Sequence, residues 1–345
     1  MRSAGTDNSF DQLRLLFAAL VAIYHVVNLS GVAGWRPVVM PLAYAAEVGV
    51  QGFFVVSGYL VYGSLERSRG LSDYAEKRVR RLYPAYAVVI LACAIGGLVA
   101  SAAARADPGS VFAYLGWNLA FLNFMAPELP GVFASNPFPE INGALWTLKI
   151  EVMFYFVLPL IAWIIARAGR ARWLVIAAIY VAAELWRGGF AHAARVENEA
   201  LYAVVSRQLP GQLSFFMTGA ALYLARDAMR WTPAVIGLAA LAFAVSFLGP
   251  LGAPLRAASL GVLAIGAAVT GPRLPSVTRA GDLSYGLYII HFPVIQTLVA
   301  MGLFAAAPLA AAALAVALSV GLSALMWRFV ERPALRRDSV YRRPG

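Results

Sequence analysis

Apolar stretches separated by short polar joints run along almost the whole chain. A helix needs about 20 predominantly apolar residues, at 1.5 Å each, to cross a hydrocarbon core about 30 Å thick. Ten runs approach that length: 12–33, 44–64, 84–104, 144–166, 173–187, 205–225, 232–249, 254–271, 282–302 and 308–329. The fifth is short, and the sixth contains Arg207 and Pro210. The pattern predicts an all-α, polytopic integral membrane protein of about ten transmembrane helices. It forms one integral domain, 1–345, with a short basic tail at 335–345. The longest joint, 105–143, contains an apolar segment at 111–124 that is short for a span. With Phe112, Tyr114 and Trp117 it suits a helix lying in the membrane interface. A second joint, 187–204, carries His192, Arg195, Glu197 and Glu199.

Composition and charge sharpen this picture. The 345 residues are 61% hydrophobic and only 13% charged, against about 25% charged in a soluble domain. Mean hydropathy is +0.71. If the N-terminus is cytoplasmic and the spans alternate, 21 of the 28 basic residues fall inside and six outside, with Lys149 within a span. That split obeys the positive-inside rule and places both termini in the cytoplasm. The net charge of +11 is then mostly topology, and no soluble segment is long enough to display a nucleic-acid surface. The single cysteine, Cys93, lies in the third run, which excludes a disulfide framework. The three histidines sit on three separate segments and give no metal-ligand spacing.

Candidate chemistry begins in the first run, where Arg14 stands eleven residues before His25. Eleven steps of 100° leave about 20° after whole turns, so both share a helix face about 16 Å apart. Ionisable groups inside a membrane helix are costly and mark a pathway or a reaction centre, and imidazole suits proton transfer near neutral pH. In the fourth run Thr147, Glu151 and Tyr155 recur every four residues and form one polar stripe. If that helix starts at the outer face, Glu151 lies about 10 Å below it and His25 about 12 Å below it. Glu151 is therefore expected beside His25, orienting its imidazole. Ser284, Tyr288 and His291 share a face of the ninth run, where interhelical hydrogen bonding also accounts for them. Ser57 has no base near it in sequence, and the adjacent Gly58 suits close helix packing. Before the third run, Lys77-Arg78-Val79-Arg80-Arg81 places Arg78 and Arg81 on one face if the helix reaches back to them. Arginine forks match phosphate oxygens, and they also suit lipid headgroups.

These motifs together resemble the membrane-bound acyltransferase family 3, the bacterial O-antigen acetylase-like proteins. Arg14 and His25 match the family's Arg-x10-His helix, and Gly52-Phe-Phe-Val-Val-Ser57-Gly-Tyr its second-helix motif. Arg78-Val-Arg-Arg81 matches Arg-x-x-Arg, and Trp146-Thr147-Leu-x-x-Glu151-x-x-Phe-Tyr155 the fourth-span signature. Leu283-Ser-Tyr-Gly-Leu-Tyr288-Ile-Ile-His291 and Glu331-Arg-Pro333 match the last two helices. Gln12 and Leu15 replace glycines usual around the first arginine, and Thr147 replaces a common serine. The resemblance implies transfer of an acyl group, most often acetyl, from cytoplasmic acyl-CoA to a hydroxyl of a surface glycan or lipid-linked saccharide. Succinyl or a longer acyl group remains open. His25 would be the catalytic base with Glu151 as its partner, and Arg14, Arg78 and Arg81 would hold the donor. Ser57, Thr147, Tyr155, Tyr288 and His291 would line the pocket. Acyl-CoA enters as co-substrate, with no resident cofactor and no metal. The expected setting is the bacterial cytoplasmic membrane, with lipids and glycan as partners, no nucleic acid, and a homo-oligomer compatible with the sequence. The rival class is a secondary transporter exporting a glycan intermediate. Against it, the chain has neither an inverted repeat nor a pair of broken helices in corresponding halves.

Overall fold

A computed structural model describes residues 9–272 and 281–335. Arg2, Arg273, Arg279, Arg336, Arg337, Arg342 and Arg343, and the tail expected at 335–345 beyond Leu335, lie outside the described residues. Among the described residues every regular element is helical. The principal helices are α1 (Phe10–Leu29), α2 (Arg36–Glu66), α3 (Leu71–Ala100), α4 (Pro108–Leu119), α5 (Trp146–Arg167), α6 (Arg172–Val196), α7 (Leu209–Leu224), α8 (Pro233–Val245), α9 (Leu255–Thr270), α10 (Ser284–Ala300) and α11 (Pro308–Met326).

Each of the ten apolar runs contains one of these helices, but they differ in reach. Six segments, built on α1, α2, α3, α5, α6 and α11, are long and apolar enough to cross a membrane. The other four, α7 to α10, have 16, 13, 16 and 17 residues. At 1.5 Å per residue they fall short of a 30 Å core by roughly 4–11 Å. Proline and glycine set their limits: Pro210 and Pro233 open α7 and α8, Pro254 precedes α9, and Gly302, at φ +74°, follows α10. Large apolar side chains such as Ile95, Phe156, Leu174 and Leu238 point outward. That surface suits lipid rather than water.

α3 starts at Leu71, thirteen residues before Pro84, where the apolar run begins. Two i,i+4 ion pairs support this added length, Lys77–Asp73 and Arg80–Glu76, each at 2.7 Å. Arg78 and Arg81 therefore lie on the helix, and both are buried. The core centres where α2, α5 and α7 meet. There Phe154 stacks on Phe216 with ring centroids 3.9 Å apart, and Phe54 lies 4.7 Å from Phe216 on the other side. Glycine permits this approach: a Cβ on Gly58 of α2 would lie 2.0 Å from the Phe216 carbonyl oxygen of α7.

The 120–145 segment determines where α5 begins. α4 buries Val111, Tyr114 and Asn118 and leaves Phe112 outside, the two-faced pattern expected of an interfacial helix. After it the chain turns inward along α10. Asn136 Nδ2 donates to Gln296 Oε1 at 2.9 Å, and Gln296 Nε2 donates to the Phe138 and Glu140 carbonyls at 2.7 and 2.8 Å. Seven residues back along α10, about 10 Å, Asn142 Nδ2 donates to the Ile289 carbonyl at 2.8 Å. Non-helical backbone at such depth is tolerated because protein groups satisfy it. α5 thus begins level with the first turns of α10 rather than at a membrane face.

Candidate active site

Three layers of polar side chains follow one another along α10. The first lies at its N-terminus. Gly281, at φ +91°, turns the chain there, and a Cβ would lie 1.9 Å from Trp327 Nε1. The turn delivers Asp282, whose Oδ2 accepts from Arg14 Nη1 at 2.7 Å and from Arg81 Nη2 at 2.6 Å. Arg81 Nη1 reaches Glu331 Oε2 at 2.8 Å. A π-helical turn after α11, Trp327–Glu331, presents that glutamate. Buried charges are tolerated only when paired and hydrogen-bonded, and Arg81, 4% exposed, meets this with two carboxylates. The knot ties α1, α3, α10 and the end of α11 together. Arg78 stands beside it, donating to Ser64 Oγ at 3.0 Å and lying 5.7 Å from the centre of the Tyr155 ring.

The second layer encloses a cavity of about 60 Å³ between Arg14, Arg81, Phe53, Ser57, Thr147, Glu151, Tyr155, Tyr285 and Tyr288. Glu151 Oε1 accepts from Ser57 Oγ at 3.1 Å and from the Tyr155 hydroxyl. Thr147 Oγ1 and Tyr288 Oη share a hydrogen bond of 2.7 Å.

The third layer is a pair of histidines. His25 Nδ1 lies 2.9 Å from His291 Nε2, and His291 Nδ1 lies 2.9 Å from the Leu287 carbonyl oxygen. A carbonyl only accepts, so His291 Nδ1 carries a proton. A neutral His291 then presents a lone pair at Nε2, and His25 Nδ1–H donates to it. These assignments leave the lone pair of a neutral His25 on Nε2. His291 is buried and His25 half-buried, with the edge of Phe292 against its ring.

The stripe residues thus come together, but not in the expected pairs. The partner on the His25 ring is His291, whereas Glu151 bonds Ser57 and Tyr155. The expectation of equal depth for His25 and Glu151 assumed that α5 starts at the outer face. Because the 120–145 segment dips along α10, Glu151 lies a layer nearer the arginines. Arg14 and Arg81 meet through Asp282. Sequence reasoning missed Asp282 and the pairing role of Glu331. A charged residue at the head of an apolar run, immediately after a glycine, was the available signal for Asp282. His192 is exposed on α6.

Comparison with known proteins shows the family. A family model described as an acyltransferase domain matches residues 7–328. Nodulation protein 10 of Rhizobium leguminosarum bv. viciae is 30% identical over 97% of this chain and 95% of its own length. The O-acetyl transferase of Shigella phage Sf6 is 25% identical over 96% of this chain and 97% of its own. The exopolysaccharide production protein ExoZ of Rhizobium meliloti is 30% identical over 85% and 91%. No solved structure matches the chain. With a family match across nearly its whole length and apolar helices throughout, the chain belongs to acyltransferase family 3 and is a membrane acyltransferase.

Proposed function

We propose that the protein transfers an acyl group, acetyl in the first instance, from cytoplasmic acyl-CoA across the bacterial inner membrane to a hydroxyl of a cell-surface glycan or lipid-linked saccharide. The observation that carries this reading is the His25–His291 pair, which leaves the lone pair of a neutral His25 on Nε2 at the end of the polar layers. Ten crossings with both termini in the cytoplasm, as the basic residues favour, put the arginine knot on the acyl-CoA side.

In this reading His25 Nε2 removes the proton of the acceptor hydroxyl as its oxygen attacks the thioester carbonyl. The new C–O bond forms, the C–S bond breaks, and the proton passes from His25 to the departing CoA thiolate. A charged His25 still donates through Nδ1 to the His291 lone pair, so His291 stabilises the imidazolium, the task expected of Glu151. Glu151 instead fixes the Ser57 and Tyr155 hydroxyls along the passage. Arg14 and Arg78 hold the donor's phosphates, with Arg81 anchoring the arginine end through its two carboxylates. The direct test uses protein purified in detergent with radiolabelled acetyl-CoA and saccharide from cells lacking the protein. Label should move to the saccharide without a sealed compartment. Failure of any label to leave CoA with acceptor present would overturn the reading.

A further inference from the structure

A second polar cluster, with Glu47 at its half-exposed edge, lies between α2, α6, α7 and α9. Arg256 of α9 approaches Glu47 of α2 at 3.8 Å, and the charges of Glu184 and Arg187 of α6 also act on it. Gln51 Nε2, one turn along α2, donates to Glu47 Oε1 at 2.8 Å. Arg187 is paired with Glu184 and lies over the Phe215 ring of α7, on the face that also carries Gln212 three residues earlier. Charged groups in apolar helices are costly and usually functional, and the reaction described above uses none of these.

The cluster contains unmet hydrogen-bonding capacity of one kind. Gln51 Oε1, Glu184 Oε1 and Gln212 Oε1 are buried acceptors without a partner among the described residues. Their residues are 2%, 9% and 5% exposed. A buried acceptor left unmade is expensive, so three at one level call for donors. A phosphate ester brings further acceptors and fits poorly. Sugar hydroxyls bring donors, and the neighbouring arginines can donate to the sugar oxygens in return. The position also fits. Gly49 packs on the Phe17 carbonyl and Val21, which sets Gln51, two residues farther along α2, about two turns, some 11 Å, from the level of His25. The charge of Arg207, at the foot of α7, acts on Tyr24 beside that histidine.

We infer that Gln51, Glu184 and Gln212 form a subsite for the hydroxyls of a neutral sugar ring, holding a part of the acceptor other than the ring that is acylated. This rests on the acyl-transfer reading above. The test compares wild type with Gln51→Leu and Gln212→Leu, using oligosaccharides released from the surface glycan of cells lacking the protein and labelled acetyl-CoA. Each substitution removes an unmet acceptor together with one amide N–H bond, to Glu47 Oε1 for Gln51 and to the Arg207 carbonyl for Gln212, and should move the thermal unfolding midpoint by about 4 °C at most. KM for the oligosaccharide should rise about three- to ten-fold, with KM for acetyl-CoA within two-fold. An unchanged oligosaccharide KM would mean that these oxygens bind water only. A midpoint lowered by more than about 4 °C would make them structural. Either result overturns the subsite. If the wild type itself transfers no label, the acyl-transfer reading fails instead; if it releases acetate from acetyl-CoA but does not acylate the oligosaccharide, the subsite assignment fails alone.

Discussion

Replacing His291 by leucine tests how the histidine pair works. In the proposed mechanism His25 gains a proton in the transition state, and its Nδ1–H then donates from a charged ring to His291 Nε2, 2.9 Å away. Hydrogen bonds from charged groups are worth about 1.5–3 kcal/mol, and each 1.36 kcal/mol is ten-fold in rate. His291→Leu should therefore lower kcat by about 10–150-fold. Both KM values should stay within about two-fold, because the bond strengthens only as charge develops. The side chain's other contact, to the Leu287 carbonyl, is dispensable because that carbonyl keeps its helical partner within α10. His291→Gln sets an amide oxygen near the former Nε2 and should recover kcat to within about ten-fold of wild type. Stopped assays with labelled acetyl-CoA give kcat and KM, and the unfolding midpoint in detergent guards against misfolding. A leucine variant with full kcat, or a glutamine variant no better than leucine, would refute the acceptor role.

Three further outcomes follow from the packing and the charge knot. Asp282→Asn should destabilise the protein by about 3–5 kcal/mol, because it strips one partner from half-buried Arg14 and from buried Arg81; thermal unfolding in detergent measures this, and an unchanged midpoint would contradict it. Gly58→Ala should cost about 1–3 kcal/mol or more, since the added methyl meets the Phe216 carbonyl and the helices must separate; the same unfolding assay reads it, and wild-type stability would show that α2 and α7 can part freely. Arg78→Ala should raise KM for acyl-CoA by about ten-fold or more and leave KM for the acceptor unchanged; equal loss for both ligands would argue against a phosphate clamp.

The helices were legible wherever apolar length decides the outcome, and each of the ten runs holds one. Their ends were less so. α3 runs back to Leu71 because i,i+4 pairs and two buried arginines extend it, features that a hydropathy count treats as loop. Pattern alone also overstated α7 to α10, where proline and glycine halt the helix inside an apolar run. Periodicity gathered polar side chains into stripes because i+4 and i+7 spacings fix a shared face whatever the tertiary structure. It assembled the stripes containing Thr147, Glu151, Tyr155, Tyr288 and His291. It could not assign partners between helices, because depth depends on where each helix starts. For α5 that point is set by Asn136, Asn142 and Gln296, ordinary polar residues until they are seen pinning a loop to α10. Asp282 went unread because its meaning lies in Arg14 and Arg81, 268 and 201 residues away.

The central claim is that His25 Nε2 takes the acceptor's proton. Its most direct measurement is the transfer rate of His25→Ala, purified, folded and shown to bind acyl-CoA, with labelled acetyl-CoA and the surface saccharide. In that variant kcat should fall by about 10²–10⁴ with acyl-CoA binding retained. Transfer at the wild-type rate by that variant would contradict it.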